Sequence, residues 1–400
     1  MSWVLGGMPK VLVIPSWYPS PEYPTSGIFI LRQVEALADQ VDVAVLYVRE
    51  ARRGLAPVVL VEDSHLVARV QLKMPPPSRT IPGRSRAVAT NLHNKFVRYE
   101  REGLAAFEQL RATWGTPDIV HVQALWPAAL LARAINRRYG IPYVVTEHSE
   151  EYLAASRRRM VRTPGVVPLV LRPLARGGER TIAVSGHLAQ RLGELGLAVR
   201  PIVIPNVVPT YESAPRPQGG RRGIAHVSVM GPAKNLRSLL RAAERLRHRR
   251  IDFVVRLVGD GESRAELERM AAALELTGTF VEFVGRLDAA AVREQFAAAS
   301  FTVVCSTHET FSVVAAESLM CGRPVLSTRC GGPEEFIDDT VGRLIPVDDV
   351  EALVEGLDWM LDHADEFDPR ALHDYAAARF APEVVARQIT AVYEEALRDR

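Results

Sequence analysis

Residues 301–336 read FTVVCSTHETFSVVAAESLMCGRPVLSTRCGGPEEF, and this stretch decides the fold. Residues 301–305 form an apolar, β-rich run, as expected for a strand that is buried on both faces. A polar loop follows, and residues 313–320 are then apolar at helical spacing. Gly322 and Pro324 end that helix, and the next strand begins directly after them. The pattern predicts a strand, loop, helix and strand of an α/β sheet.

Two carboxylates lie in this unit. Glu309 stands in the loop at the carboxyl end of a strand, where open α/β sheets bind ligands. Glu317 shares a helical stripe with the apolar Val313 and Met320, so its carboxylate needs a partner. Free backbone N–H groups at the helix start, residues 311–313, favour a bound anion such as phosphate. The simpler alternative is a surface glutamate and a rim glutamate that bind no ligand.

Glu309, seven intervening residues and Glu317 resemble the donor-binding signature of family 4 glycosyltransferases. The segments Gly-Arg-Pro-Val from Gly322 and Gly-Gly-Pro-Glu-Glu from Gly331 belong to the same pattern. The family usually has glycine where this chain has Ser312, a mild change because both residues can present a backbone N–H. Such enzymes are retaining, have the GT-B fold and use nucleotide-sugar donors. The resemblance extends over nearly the whole chain.

Strands alternate with helices along the chain, which predicts two doubly wound parallel sheets with right-handed crossovers. We expect two Rossmann-like domains that face each other across a ligand cleft. An N-terminal, acceptor-side domain is predicted over residues 1–205 and a donor-binding domain over residues 206–380. The resemblance implies GT-B architecture, in which a last helix, at about 381–400, crosses back to the first domain. A Pro-, Gly- and Arg-rich linker is predicted at 211–222.

Length and composition fit this two-domain prediction. Four hundred residues are too many for one compact core, and 48% hydrophobic and 24% charged residues are ordinary for a soluble globular protein. A net charge of +2 gives no reason to expect nucleic-acid binding. Three cysteines without paired or metal-type spacing favour a reducing cytoplasm. No apolar run approaches the ~20 residues that span a bilayer, and no signal peptide is expected.

The first domain contributes three candidate residues. Gly27 closes a loop between a strand and a helix, which suits a phosphate or sugar close to the backbone, although it could be an ordinary loop glycine. The resemblance implies that Gln123 replaces a histidine that contacts the donor sugar. Glutamine can hydrogen-bond a hydroxyl but cannot act as an acid or base, and His121 is then structural. His148 resembles the family's Thr-x-His element and is a candidate for the acceptor cleft and for catalysis.

Candidates of the second domain lie at its strand ends and at the domain junction. Asn206 resembles the interdomain Pro-Asn-Gly element of the family. Lys234 ends a strand-to-helix loop, where a lysine can place its charge on a diphosphate. The family usually has an arginine five positions earlier, where this chain has Val229. Gly259 opens a Gly-Asp-Gly turn before another helix.

The resemblance implies a role for each of these groups. Lys234 and the helix start near Val313 would hold the diphosphate, and a fixed cation there would stabilise charge that grows as the sugar bond breaks. Glu317 would bind the ribose hydroxyls. Glu309 would hold the donor sugar, supported by the backbone N–H groups of Thr310, Phe311 and Ser312.

No metal or other cofactor is expected. Metal-dependent glycosyltransferases of the other common fold need an Asp-x-Asp ligand set, and none stands at a strand end here. The aspartate pairs at 338–339 and 348–349 lie by turns and are better explained as solvent-exposed caps.

Several alternatives remain open on the sequence. One is a nucleotide-sugar epimerase or a phosphorylase of the same fold. Another is a degenerate sugar-nucleotide-binding protein without transferase activity, which Val229 and Gln123 favour. The acceptor could be a glycan, as in polysaccharide biosynthesis, a lipid-linked saccharide or a small molecule. Arginines of the helical segment 84–114 could contact an anionic acceptor or the inner face of the membrane, although a solvated helix face explains them more simply.

Overall fold

Strands and helices alternate along the chain and build two sheets. The structure is a computed structural model that describes residues 8–20, 22–51, 55–62, 65–73, 84–153, 162–215 and 219–398. The last residues of the predicted C-terminal helix, 399–400, and residues 216–218 of the predicted linker lie outside these ranges. The predicted α/β class with two doubly wound domains is confirmed.

The first sheet has eight strands in the order β3-β4-β2-β1-β5-β6-β7-β8. These strands are β1 Lys10–Pro15, β2 Asp42–Ala51, β3 Leu55–Glu62, β4 His65–Lys73, β5 Ile119–Gln123, β6 Tyr143–Glu147, β7 Arg180–Ala183 and β8 Ile202–Val203. Apolar side chains of β1 alternate between the two faces, with Leu12 and Ile14 in one core and Val11 and Val13 in the other. Helices therefore have to cover both faces of the sheet.

One edge of this sheet departs from the predicted all-parallel arrangement. Strand β3 pairs with β4 in the antiparallel direction, whereas β4 pairs with β2 in parallel. Only two residues separate Glu62 from His65, which is too short for a crossover between parallel strands. The prediction of a purely parallel first sheet was wrong at this hairpin.

The second sheet has six strands in the order β11-β10-β9-β12-β13-β14, and all its pairs are parallel. These strands are β9 Arg222–Val227, β10 Phe253–Val258, β11 Val281–Gly285, β12 Phe301–Val304, β13 Val325–Thr328 and β14 Gly342–Ile345. The strand order reverses between β9 and β12, so the loops after these two strands diverge to opposite faces of the sheet. Ligands of open α/β sheets bind at such a switch point.

Helices connect the strands and cover the sheets. They are α1 Ile28–Ala38, α2 Arg84–Trp114, α3 Ala128–Tyr139, α4 Arg172–Ala175, α5 Gly186–Glu194, α6 Leu236–Leu246, α7 Arg264–Ala273, α8 Ala289–Ala297, α9 Val313–Met320, α10 Val350–His363, α11 Pro369–Phe380 and α12 Pro382–Arg398. Within the described ranges, no helix is long and apolar enough to cross a bilayer.

The last helix packs on α1 of the first domain. Val385, Ile389 and Tyr393 of α12 are buried in the same apolar cluster as Val34 and Leu37 of α1.

A polar contact under α12 secures it to the first sheet. The Tyr393 hydroxyl lies 2.6 Å from Nδ1 of His121, whose Nε2 lies 2.7 Å from the Thr146 hydroxyl. Burial lowers the pKa of His121 to about 3, so this imidazole is neutral. His121 therefore has the structural role that was expected of it.

The two domains also meet directly. The Glu335 carboxylate accepts hydrogen bonds from the first N–H groups of α5, those of Gly186 at 2.8 Å and His187 at 2.6 Å. A carboxylate at a helix N-terminus is stabilised by the helix dipole. The exact boundary at residue 205 stays a prediction.

Candidate active site

A cavity of about 720 Å³ lies between the domains, at the carboxyl ends of the second sheet's strands. Its walls come from α1 and the loop before it, from the linker, and from the second domain. Most lining residues are apolar, and a few charged side chains point into the space, which is typical of a ligand site. The polar and charged residues of this lining include Arg32, Tyr211, Asp260, Arg286, Asp288, Arg293 and Glu317.

Lys234 and Glu309 form an ion pair beside this cavity. The Lys234 Nζ donates to Glu309 Oε1 at 2.6 Å, and the Ser306 hydroxyl donates to the same oxygen at 2.7 Å. Burial by itself raises the pKa of Glu309, but Lys234 and Ser306 outweigh it and the pKa is lowered. Burial lowers the pKa of Lys234, yet the Glu309 carboxylate outweighs it and the pKa is raised. Both groups are therefore charged at neutral pH.

The pair joins two strand-end loops. Lys234 ends the loop after β9, and Glu309 lies in the loop after β12, so the switch point of the sheet brings the two charges together. The Glu309 N–H donates to the Cys330 carbonyl at 2.8 Å, and the Gly332 N–H donates to the Glu309 carbonyl at 3.1 Å. The loop after β13 thus holds the backbone of Glu309 through both its N–H and its carbonyl group.

The start of α9 presents free backbone donors close to this pair. Ser312 precedes the helix in a left-handed conformation, with φ 74°, and Phe311 turns its ring into the core. The N–H groups of Thr310, Phe311 and Ser312 donate to no backbone carbonyl of the described residues. The first N–H groups of α9 itself have no intrahelical acceptor. The predicted anion would bind to such free donors.

Glu317 has the partner that its position on the apolar stripe demanded. The Arg32 Nη1 donates to Glu317 Oε1 at 2.7 Å, and the two side chains are 12% and 10% exposed. Burial raises the pKa of Glu317, and Arg32 only partly opposes this effect. Arg32 belongs to α1 of the first domain, so the bridge crosses the cleft. No motif identified Arg32 as this partner, because 285 residues separate it from Glu317.

Gln123 and His148 are buried together in the first domain. The His148 Nε2 donates to Gln123 Oε1 at 2.7 Å, and Gln123 donates in turn to Gln33. His148 Nδ1 and the Asn206 Oδ1 are buried without a hydrogen-bond partner among the described residues. Burial lowers the pKa of His148 to about 3, although Asn206 opposes this effect. A neutral His148 can hydrogen-bond a ligand, but it is a weak base.

The two predicted glycine positions are both sterically tight. Gly27 caps α1 at φ 68°, and a Cβ on it would lie 2.5 Å from the Trp17 carbonyl oxygen. Gly259 has φ 124° and lines the cavity, and a Cβ on it would lie 1.9 Å from the Ser228 oxygen. Only glycine fits these two conformations without a shift of the backbone. Both turns bring main chain close to the cleft.

Val229 occupies the position where the family usually has an arginine. Its side chain is 71% exposed on the cavity wall, so this position carries no charge. The Asp349 side chain caps α10 and Asp338 caps a turn, as predicted.

Within the described ranges, no group of three His, Cys, Asp or Glu side chains could hold a metal ion. Tyr211, predicted as part of an ordinary linker, instead lines the cavity.

Two Rossmann-like domains that face each other across a cleft define a protein with the GT-B architecture. Residues 26–207 match the family model of the glycosyl transferase 4-like domain, and residues 209–378 match that of the glycosyl transferases group 1.

Curated relatives agree with the family models. The MMP alpha-(1->4)-mannosyltransferase of Mycolicibacterium hassiacum is 31% identical over an alignment of 316 residues, and the match covers 74% of this chain and 74% of the relative. The 2-deoxystreptamine glucosyltransferase of Streptomyces kanamyceticus is 31% identical over 258 residues, and that match spans 60% of this chain and 65% of the relative.

A solved structure agrees in fold. The sucrose-phosphate synthase of Thermosynechococcus elongatus has a TM-score of 0.76 at 18% identity, over 98% of this chain and 100% of that one.

The chain belongs to family 4 of the GT-B glycosyltransferases. It is a glycosyltransferase that takes its sugar from a nucleotide-sugar donor. This assignment favours transfer over the epimerase, phosphorylase and binding-protein alternatives.

His148 is expected to stay neutral throughout the physiological pH range. Its folded-state pKa, about 3, lies well below the ordinary value of a histidine, so the folded protein does not take up this proton above pH 5. Assignment of the ring protons by NMR, with His148→Gln as the control that identifies them, should show no titration between pH 5 and 8. A titration step near pH 6.5 would contradict this prediction.

Proposed function

We propose that this chain transfers a sugar with retention of anomeric configuration, without a metal ion, to a hydroxyl of a glycan, a lipid-linked saccharide or a small molecule. The observation that carries the proposal is the Lys234–Glu309 pair, which lies beside the free N–H groups of the α9 start. A cation, a row of donors and a carboxylate thus converge at one edge of the cleft. Such a set fits a diphosphate and the sugar attached to it.

Each part of the nucleotide-sugar donor would occupy one region of the cleft. The diphosphate takes the start of α9 and Lys234, and the ribose lies at Glu317, one turn further along α9. The base enters the apolar part of the cavity, lined by Val227, Val258 and Phe296. The sugar then lies at Glu309, and its hydroxyls donate to the carboxylate.

Lys234 serves two negative groups in this proposal. In the absence of donor it neutralises Glu309, and a bound diphosphate gives it a second anionic partner. Negative charge grows on the departing diphosphate as the sugar bond breaks, and a fixed cation stabilises that charge more in the transition state than in the ground state. The departing phosphate would accept the acceptor proton on the same face, which leads to retention.

The relatives bear on the acceptor only as a class. One of them is named for 2-deoxystreptamine, a hydroxyl-bearing ring, and another for the transfer of a mannosyl group in an alpha-(1->4) linkage. A polyhydroxylated ring is therefore the first acceptor class to try. Contact with a membrane surface stays a prediction.

Transfer should proceed with retention and without added metal. Purified protein would be incubated with UDP-, GDP- and ADP-sugars and a panel of cyclitols and saccharides in the presence of EDTA, and the product anomer would be read by NMR. The expected product keeps the donor's anomeric configuration, at the same rate with and without chelator. An inverted product would overturn retention. Activity lost in EDTA and restored by Mn²⁺ or Mg²⁺ would overturn metal independence.

Substitution of Glu317 should affect nucleotide binding, and substitution of Glu309 should affect recognition of the sugar. Glu317→Ala should weaken the binding of the nucleoside diphosphate itself, because it removes the ribose acceptor. Glu309→Ala should leave that binding intact and lose the preference for the intact sugar donor. Each loss is expected to be ~2–4 kcal/mol in transition-state stabilisation. Calorimetry with nucleotide and with donor checks this, and equal losses for both ligands in both variants would contradict the assignment.

Lys234→Ala should lower kcat/KM by at least ~10², because no arginine stands at Val229 to share the diphosphate. The substitution also leaves Glu309 without its cation, so the melting temperature must be measured beside the kinetics. Val229→Arg is the matched gain-of-charge variant and should tighten donor binding. Near-normal turnover of a folded Lys234→Ala protein would show that another cation serves the phosphates.

A further inference from the structure

Arg32 is a charged residue of the cavity that no motif predicted. It lies on α1 and points into the cleft, away from the buried residues of that helix, which are Ile30, Gln33, Val34, Ala36 and Leu37. Its guanidinium reaches across the cleft to Glu317 of the second domain at 2.7 Å. The first domain therefore contributes a side chain to the part of the site that we assign to the ribose.

The bridge uses only part of the Glu317 carboxylate. Arg32 Nη1 contacts Oε1, and Oε2 accepts no hydrogen bond from the side chains or backbone of the described residues. An ionised carboxylate offers about four acceptor sites, so a ribose could bind while Arg32 stays in place. Both side chains are about nine-tenths buried, which fixes their relative position.

Other ionisable groups surround Glu317 but do not replace Arg32. Tyr211 of the linker and Cys321 at the end of α9 face it, and burial raises the pKa of each to about 12, so both are neutral. Arg293 of α8 lies over the Tyr211 ring at 5.7 Å, and it forms no ion pair with Glu317. Asp260, Arg286 and Asp288 line the same cavity further along the second domain.

Without Arg32 this carboxyl group would be a poorer acceptor. Burial already favours its protonated form, and a protonated carboxyl loses acceptor capacity and the strength of a charge-assisted hydrogen bond. A side chain without its partner could also rotate away from the ribose. Both effects would act on ribose recognition and would spare the remainder of the nucleotide.

We propose that Arg32 is a positioning residue for the donor: it holds the Glu317 carboxylate in place across the cleft, so that Oε2 accepts the ribose hydroxyls. This inference rests on the donor site proposed above. It makes discrimination between ribose and deoxyribose a joint property of the two domains. Arg32 acts through Glu317 and touches no reacting atom.

The test is a binding series on the full-length protein. The probe is whichever of UDP, GDP and ADP binds most tightly, together with its 2′,3′-dideoxy analogue, and Kd is measured by calorimetry from pH 5 to 8. The variants are Arg32→Gln, Arg32→Lys, Glu317→Gln and the double variant. Arg245→Gln is the matched control, because this arginine pairs with Glu351 at 2.9 Å on the exposed surface of the second domain.

Arg32→Gln is expected to weaken ribonucleotide binding about tenfold at neutral pH, the loss typical of a hydrogen bond to a charged group. The loss should grow as the pH falls, because Glu317 then protonates at a higher pH than in the unmodified protein. Binding of the dideoxy analogue should change little. Arg32→Lys should restore part of the affinity, the double variant should be no weaker than Glu317→Gln, and Arg245→Gln should bind normally.

Two results would overturn the role of Arg32. Unchanged or tighter ribonucleotide binding by folded Arg32→Gln would show that Arg32 is dispensable or competes with the ribose. An equal loss for the ribonucleotide and its dideoxy analogue would show a general effect on the cleft. Failure of the donor-site assignment gives a different result, since Glu317→Gln would then bind the ribonucleotide normally.

Discussion

Buried carboxylates in this cleft require a positive charge or several N–H donors, and the loops of the site are arranged to supply them. Glu309 has Lys234 and the Ser306 hydroxyl, and Glu317 has Arg32. Glu147 is held by uncharged donors: the backbone N–H groups of Leu125, His148 and Ser149 donate to it at 2.8–2.9 Å, and the Tyr152 hydroxyl donates to it as well. Each carboxylate thereby ties two chain segments together, since an unpaired buried charge would be strongly destabilising. The hydrogen bonds of Glu147 to the His148 and Ser149 backbone shape the loop that carries His148.

Strong local patterns were enough to predict the framework. The helices over 84–114 and 313–320 begin and end where the sequence placed them, and the last helix, predicted at about 381–400, is described over 382–398. For 313–320 the reason is visible, because an apolar run meets Gly322 and Pro324 directly after it. The edge hairpin of the first sheet was mistaken because strands of either direction share the same alternation of residues. There the length of the connection decided the direction of pairing, and the pattern did not.

The site was predictable one residue at a time, but its pairings were not. The apolar stripe around Glu317 showed that this carboxylate needs a partner, yet nothing local to Arg32 identifies it as that partner. Gln123 was recognised as a substitution for a histidine, but its contacts with His148 and Gln33 depend on how β5, β6 and α1 meet. Such contacts arise from the topology of the sheet, and residue type and spacing along the chain do not contain that information.

The position of α12 has a consequence for the order in which the molecule can be assembled. Ribosomal synthesis releases the first domain's strands long before residues 382–398, which cover the apolar face of α1 and bring Tyr393 to His121. Until then that face stays open, and the His121 ring lacks one of its two hydroxyl neighbours. The core of the first domain therefore closes only after the second domain has been translated, and the apolar face of α1 is exposed to aggregation during that interval.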